Sequence, residues 1–376
     1  MSANPVENLS DCEDTAVLID AFNSNSNVFD VRAAGTAMRF MTAFLSGMEG
    51  EWELRGTERM HQRPIYPLVD ALRELGADIE YLEKEGCPPL KIKGHRLEGG
   101  EVSLSGSISS QYISALMMVA PTMTNGLDIH IQDEIISHPY LRLTASLMEQ
   151  YGAKVKWEDK HIVIKPQPYQ QPHNYRVEAD WSAASYWYAM VALKPGAEVT
   201  LMGLNRNSAQ GDANLVGLFT DLGVTTEYID GGAVVRNNGK RSKIFYHNFI
   251  NEPDLAQTFA AACCFLSVPF MFSGLQTLRI KETDRIEALR TELKKFGYVI
   301  QVEGDEVMRW DGERCLVEEE PVVATYEDHR MAMSMALAAM VTDSVKINDP
   351  HVVAKSYPGF WDDLEHAGFE IIKEKK

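Results

Sequence analysis

Positive charge is what this chain has little of. Lys and Arg number 36 against 54 Asp and Glu, a formal net charge of −18, which argues against broad binding to nucleic acid or to an acidic membrane surface. Cysteine is sparse: Cys12, Cys87, Cys263, Cys264 and Cys315 form neither a CxxC nor any paired metal-ligand spacing, and such a set reads as the reduced thiols of a cytoplasmic protein. No secretory signal pattern is visible. Long apolar runs are missing too. The most apolar stretch, 255–272, contains Gln257, Thr258, Ser267 and Pro269, so a buried helix followed by a strand is expected there rather than a membrane span.

What is present is a repeat. The 376 residues, 45% of them hydrophobic, suffice for two domains or more. An amphipathic helix, a glycine and then an alternating apolar pattern recur, with the glycines at Gly76, Gly152, Gly223, Gly297 and Gly368. By subtraction their separations are 76, 71, 74 and 71 residues, a regularity that marks internal repeats. Each glycine is a candidate for the left-handed position that ends a helix, and a half-buried hairpin is expected after it.

Each unit also carries an earlier helix that is apolar on nearly all sides: 37–45, 112–120, 183–193, 255–266 and 331–340. Such helices must be buried. The expected unit is strand, buried helix, strand, half-exposed helix and two strands, an α/β arrangement with sheets outside and helices inside. A further half-unit, whose helix covers 14–22, precedes the five, so the first of six units reads as truncated at its N-terminus, with a gap or exposed apolar patch expected near Val17, Leu18 and Phe22. The Pro-, Gln- and Tyr-rich stretch 166–175 divides the units three and three, which sets the domains at 1–174 and 175–376.

Polar residues collect at the helix starts. In Lys281-Glu282-Thr283-Asp284-Arg285, Thr283 or Asp284 is placed to cap the helix that follows, Lys281 and Glu282 lie in the loop before it, and Arg285 sits on its first turn. Other buried-type helices open with Gly35-Thr36-Ala37-Met38-Arg39, Ser109-Ser110-Gln111, Asp254 and Asp328-His329-Arg330; the half-exposed ones open near Arg63-Pro64, Ser137-His138-Pro139-Tyr140 and Lys355-Ser356. Taken singly, these residues read equally as caps, turns and surface ion pairs, and Asp180 also reads as a cap. Asp328-His329 lacks the i+4 partner that metal ligation needs. Taken together, helix N-termini with arginine forks suit phosphates and carboxylates. A small polyanion, or two of them, is the expected ligand, held between the domains, with Arg63 and Gln111 on one side and Asp254, Lys281, Arg285, Arg330 and Lys355 on the other.

The motifs Ala34-Gly35-Thr36-Ala37-Met38-Arg39, Arg63-Pro64-Ile65, Gly106-Ser107-Ile108-Ser109-Ser110-Gln111, Lys281 to Arg285, Asp328-His329-Arg330-Met331-Ala332 and Ala354-Lys355-Ser356 closely resemble, in this order, those of the enolpyruvyl transferases that make 5-enolpyruvylshikimate 3-phosphate. The resemblance covers nearly the whole chain. It implies an inside-out α/β fold of two domains with three βαβαββ units each. It implies that Ser109, Ser110, Gln111, Ser137, Tyr140, Asp254 and Lys281 bind shikimate 3-phosphate, and that Gly35, Arg63, Gln111, Arg285, Arg330 and Lys355 bind phosphoenolpyruvate. Asp254 is the implied base, Glu282 the implied proton shuttle, and Lys355 belongs to the catalytic set. No metal or organic cofactor is implied, and the expected protein is a cytoplasmic monomer acting on small molecules.

Two departures stand out. Ala33 takes the place of a usual Asn, and Thr277 stands where some relatives have Asn. The family's Gly-Ser-Lys-Ser-x-x-Asn-Arg segment does not occur before Asp14, so the chain is expected to fold but to show little or no synthase activity. Two rival readings are an enolpyruvyl transferase acting on UDP-N-acetylglucosamine, which normally carries a loop cysteine where this chain has Arg59 to Arg63, and an inactive copy or repeat scaffold.

Overall fold

The computed structural model describes residues 6–107, 109–170 and 174–373. Ile108, inside the Gly106–Gln111 motif, and residues 171–173, inside the Pro-rich stretch, lie outside the described residues. Helices α1 (Glu13–Asn23), α2 (Gly35–Ser46), α3 (Tyr66–Glu74), α4 (Ser110–Val119), α5 (His138–Gln150), α6 (Trp181–Leu193), α7 (Leu215–Thr220), α8 (Ala256–Leu266), α9 (Arg285–Lys295), α10 (His329–Met335) and α11 (Phe360–His366) follow one another along the chain. Two compact units form: residues 1–10, 14–177 and 209–211, and residues 11–13, 178–208 and 212–376.

In the first unit, the strands Val28–Asp30, Gly50–Arg55, Leu90–Gly94 and Asp78–Tyr81 lie side by side in that order. The first pair is parallel and the other two are antiparallel. Gly100–Ser105, Leu127–Gln132, His161–Ile164 and Val155–Glu158 repeat that order and those directions. In the second unit, Phe245–Asn248, Phe270–Ser273, Val307–Trp310 and Gln301–Glu303 do so again. The parallel pair needs a crossover, which α2, α4 and α8 supply; the antiparallel pair is the hairpin after Gly76, Gly152 and Gly297.

Burial separates the helix types. All eleven residues of α8 are buried, including Phe259 and Leu266, and each large apolar side chain so buried contributes about 1.5–3 kcal/mol. Alanine, the best helix former, fills much of α8. The helix stops at Ser267, in the left-handed region at φ 56°, where the Ser267 and Val268 N–H groups donate to the carbonyls of Cys264 and Cys263, and Pro269 follows. By contrast, α3 buries only Leu68, Val69, Ala71 and Leu72. The five repeat glycines all have positive φ, between 83° and 100°, a region costly for any residue with a Cβ.

Several expectations change. No hairpin follows Gly368 among the described residues; the last unit keeps only the parallel pair Val322–Val323 and Lys346–Ile347. Lys355 does not open α11 but ends a 3-10 turn, Pro350–Lys355. The exposed apolar patch expected near Phe22 is present in part: Phe22 is exposed and packs edge-on at 5.3 Å against Phe44, itself exposed, while Val17 is buried and Leu18 half-buried against the core. Among the described residues, no helix is long and apolar enough to cross a membrane.

Candidate active site

In the first unit, the start of α2 is the meeting point. A Cβ on Gly35 would lie 2.9 Å from a terminal nitrogen of Arg39 and 2.9 Å from one of Arg63, so two guanidinium groups close on a position where only hydrogen fits. Arg39 donates to the Gly35 carbonyl at 3.0 Å, stands over the Tyr112 ring at 5.8 Å, and is buried. Gln111 Nε2 donates to Thr36 Oγ1 at 2.9 Å, and the Tyr112 hydroxyl donates to the Pro64 carbonyl at 2.7 Å. These contacts tie the first turn of α4 to the first turn of α2 and to the loop that carries Arg63. Ser109 caps α4 by accepting from the Gln111 N–H at 3.3 Å, and Ser110 is its first residue. Ser137, buried and left-handed, precedes α5, and its carbonyl accepts from the Tyr140 N–H. A Ser114–Thr144 hydroxyl contact of 2.8 Å joins α4 to α5.

In the second unit, Arg285 is the hub. Its side chain is almost fully buried, and three carboxylates share it: Nε donates to Asp328 Oδ2 at 2.7 Å, one terminal nitrogen to Asp254 Oδ1 at 2.9 Å, the other to Glu282 Oε2 at 2.9 Å. Arg330 donates to Asp254 Oδ2 at 3.1 Å, and Lys281 Nζ stands 3.6 Å from Asp254 Oδ1. Lys355 Nζ donates to Glu282 Oε1. Asp284, not Thr283, caps α9, accepting from the Glu287 N–H; Asp328 caps α10 through the Arg330 N–H at 2.8 Å, and Asp180 caps α6. Four cations (Lys281, Arg285, Arg330, Lys355) thus face three carboxylates (Asp254, Glu282, Asp328), and four minus three leaves one positive charge in surplus.

The electrostatics follow. Burial alone would push the Asp254 carboxyl up, but Arg330, Lys281 and Arg285 outweigh it and hold Asp254 well below the usual carboxylate range. Lys281 is raised by Asp254, yet burial and Arg285 leave its ammonium below the ordinary value. Burial, reinforced by Lys355 and Arg330, pushes His329 well down, so it is a neutral imidazole. Asp212, which accepts from the Ser182 hydroxyl, is pushed up to about 7 by burial and by the neighbouring Asp254.

The structure therefore brings together Gly35, Arg63 and Gln111 in one unit and Asp254, Lys281, Glu282, Arg285, Arg330 and Lys355 in the other. Glu282 is held by Lys355 and Arg285, and Lys281 stands beside Asp254. Sequence reasoning missed Asp212 and the second role of Asp328. Nothing marks Asp212 along the chain, and Asp328 reads there only as a cap.

Buried helices, mixed sheets, and arginines and lysines clustered with carboxylates near helix starts and in the loops beside them describe a mixed α/β fold with a charged site. Solved structures of EPSP synthase from Acinetobacter baumannii share this fold: two superpose with a TM-score of 0.74 at 22% and 20% identity, covering 96% and 98% of this chain and 89% and 91% of theirs. The sequence model of EPSP synthase (3-phosphoshikimate 1-carboxyvinyltransferase) matches residues 5–364. A 3-phosphoshikimate 1-carboxyvinyltransferase of Bacteroides fragilis is 53% identical over 365 residues, 97% of this chain and 89% of that protein. One of Photobacterium damsela subsp. piscicida is 41% identical over 334 residues, 88% of this chain and 77% of that protein. This chain belongs to the EPSP synthase family of transferases.

Proposed function

We propose that this chain transfers the enolpyruvyl group of phosphoenolpyruvate to the 5-hydroxyl of shikimate 3-phosphate and releases phosphate, a step of aromatic amino acid biosynthesis. The observation that carries this reading is the convergence of Arg285, Arg330 and Lys281 on Asp254, beside a Glu282 held by Lys355 and Arg285. Cations for a phosphate and a carboxylate thus stand beside two carboxylates able to move protons.

In this reading the substrate hydroxyl oxygen bonds to C2 of phosphoenolpyruvate, its proton passes to Asp254, and Glu282 delivers a proton to the methylene carbon. The C2–O bond to phosphate then breaks, phosphate departs, and a proton leaves the new methyl group for Glu282, which restores the double bond. Asp254 by itself is a weak base, because three cations hold its charge. The anionic substrates offer those cations other acceptors, and each cation drawn away makes Asp254 more basic just as the hydroxyl arrives. Arg330, Arg285 and Lys355, with Arg63, Gln111 and the Gly35 turn, take phosphoenolpyruvate. Ser109, Ser110, Gln111, Ser137, Tyr140 and Lys281, with Asp254, take shikimate 3-phosphate. The cations that bind the ground state also stabilise the charge on the departing phosphate.

The test is phosphate release from the two substrates together, alongside calorimetric titration with shikimate 3-phosphate and, separately, UDP-N-acetylglucosamine. Release that requires shikimate 3-phosphate would support this reading; little or no release would instead bear out the low activity expected from the sequence. Binding of the nucleotide sugar instead, or of neither acceptor, would overturn the assignment. We further read the protein as a cytoplasmic monomer. All five cysteines are free thiols and four of them are buried; size-exclusion chromatography coupled to light scattering tests the monomer.

A further inference from the structure

Glu101, Asp128, His130 and His161 stand on three neighbouring strands of one sheet in the first unit. The register pairs Glu101 with Asp128 and His130 with His161. Asp128 and His130 are two residues apart on one strand, so both point away from the buried face made by Leu127, Ile129 and Ile131. His130 Nε2 lies 3.3 Å from Asp128 Oδ1 and 3.3 Å from Glu101 Oε1, while His161 Nε2 contacts the same Asp128 oxygen. The imidazoles stack at 4.5 Å with 15° between their planes.

From this geometry we propose that Asp128 Oδ1, His130 Nε2 and His161 Nε2, with Glu101 as fourth donor, bind one divalent transition-metal ion of the zinc class. One ligand atom each from Asp128, His130 and His161 already lies within 4.8 Å of the other two. Tetrahedral bonds of about 2.0–2.1 Å place ligand atoms about 3.3–3.4 Å apart, the spacing His130 keeps to both carboxylates. Two imidazoles with carboxylates are a donor set for zinc, cobalt or nickel rather than for calcium or magnesium. Metal ligation takes imidazole in its neutral form, so two imidazole and two carboxylate ligands would carry two negative charges, which a divalent ion cancels. Among the described residues, the only basic side chains within 4.0 Å of the Glu101 and Asp128 carboxylates are these histidines, so no lysine or arginine competes for them. The ion would staple three strands of the sheet. None of these residues belongs to the reaction described above. Cysteine spacing and the Asp328-His329 pair hold no such site, and this one arises only from strand register.

The test uses the full chain without a histidine tag, dialysed against chelator and titrated calorimetrically with Zn²⁺ in the presence of excess Mg²⁺. Cobalt absorption reports the geometry. One equivalent of zinc is expected, with a rise in melting temperature. The double variant His130→Gln/His161→Gln should lose affinity by on the order of tenfold or more, since removing second-shell partners alone costs that much, and should lose the zinc-induced rise. Asp128→Asn, a nearly isosteric change, repeats the test should the double variant not fold. Zinc binding of unchanged affinity in the variants, or no saturable binding by the parent chain, would overturn the site.

Discussion

Arg285 Nε stands 2.7 Å from Asp328 Oδ2, and Asp328 is closed off from solvent. The two residues are 43 positions apart, one opening α9 and the other capping α10. The buried cation that faces Asp254 and Glu282 is therefore anchored from behind by a carboxylate that faces neither.

Asp328→Ala should accordingly be costly. It leaves the Arg285 guanidinium buried with one partner fewer and removes the cap from α10. Breaking a buried pair costs about 3–5 kcal/mol, and losing a cap about 1 kcal/mol. Urea denaturation of the variant should show a loss of that size; a loss under about 1 kcal/mol would mean that Asp254 and Glu282 satisfy Arg285 unaided.

Glu282→Gln keeps the shape but leaves one acceptor oxygen where Lys355 and Arg285 now use two, and it carries no proton between substrate and protein. Substrate binding measured by calorimetry should stay near the parent value, while kcat falls by about 10²–10⁴. Near-normal turnover would remove Glu282 from the proton path.

Arg330→Lys keeps the charge and loses the planar fork. Its present hydrogen bond to Asp254 Oδ2 should weaken as well. KM for phosphoenolpyruvate should rise more than KM for shikimate 3-phosphate; equal rises would show that Arg330 does not distinguish the two anions.

Gly35→Ala places a methyl group 2.9 Å from terminal nitrogens of Arg39 and Arg63. These are the far ends of flexible side chains, so the melting temperature should barely move. The guanidinium groups must shift, and KM for phosphoenolpyruvate should rise. An unchanged KM would show that neither arginine touches the donor.

Asp212→Asn tests a pH dependence. The Asp212 carboxyl is raised to about 7 in the folded chain, from an ordinary value of 3.8. Its contribution to stability is thus full below pH 3.8 and is lost as pH rises through about 7. Each pH unit in that window is worth up to about 1.4 kcal/mol. Asparagine does not ionise, so the variant should gain stability relative to the parent at pH 8 but not at pH 4. Parallel stability–pH curves for the two chains would show that Asp212 is already ionised at low pH.

Much of the fold can be read along the chain because it is written in local periodicity. The apolar run 255–266 became a helix buried at every position of α8 because an all-apolar surface has no stable place in water. Gly297 ends α9 in a left-handed turn because a Cβ is penalised there. The hairpin expected after Gly368 is not formed among the described residues. At the sites, Asp284, Asp328 and Asp180 could be read as caps because a cap bonds to a backbone N–H two or three residues away.

Sequence by itself determined which helices are buried, where they end, and most of the charged side chains near their starts, Lys355 excepted, since each of these depends on neighbours within a few residues. Only tertiary structure decided that Arg285 pairs with Asp328, that Lys355 donates to Glu282, and that His130 stacks on His161. Those contacts join side chains from separate helices, loops and strands, and their partners are selected by packing angles and strand register, which no short window of residues encodes.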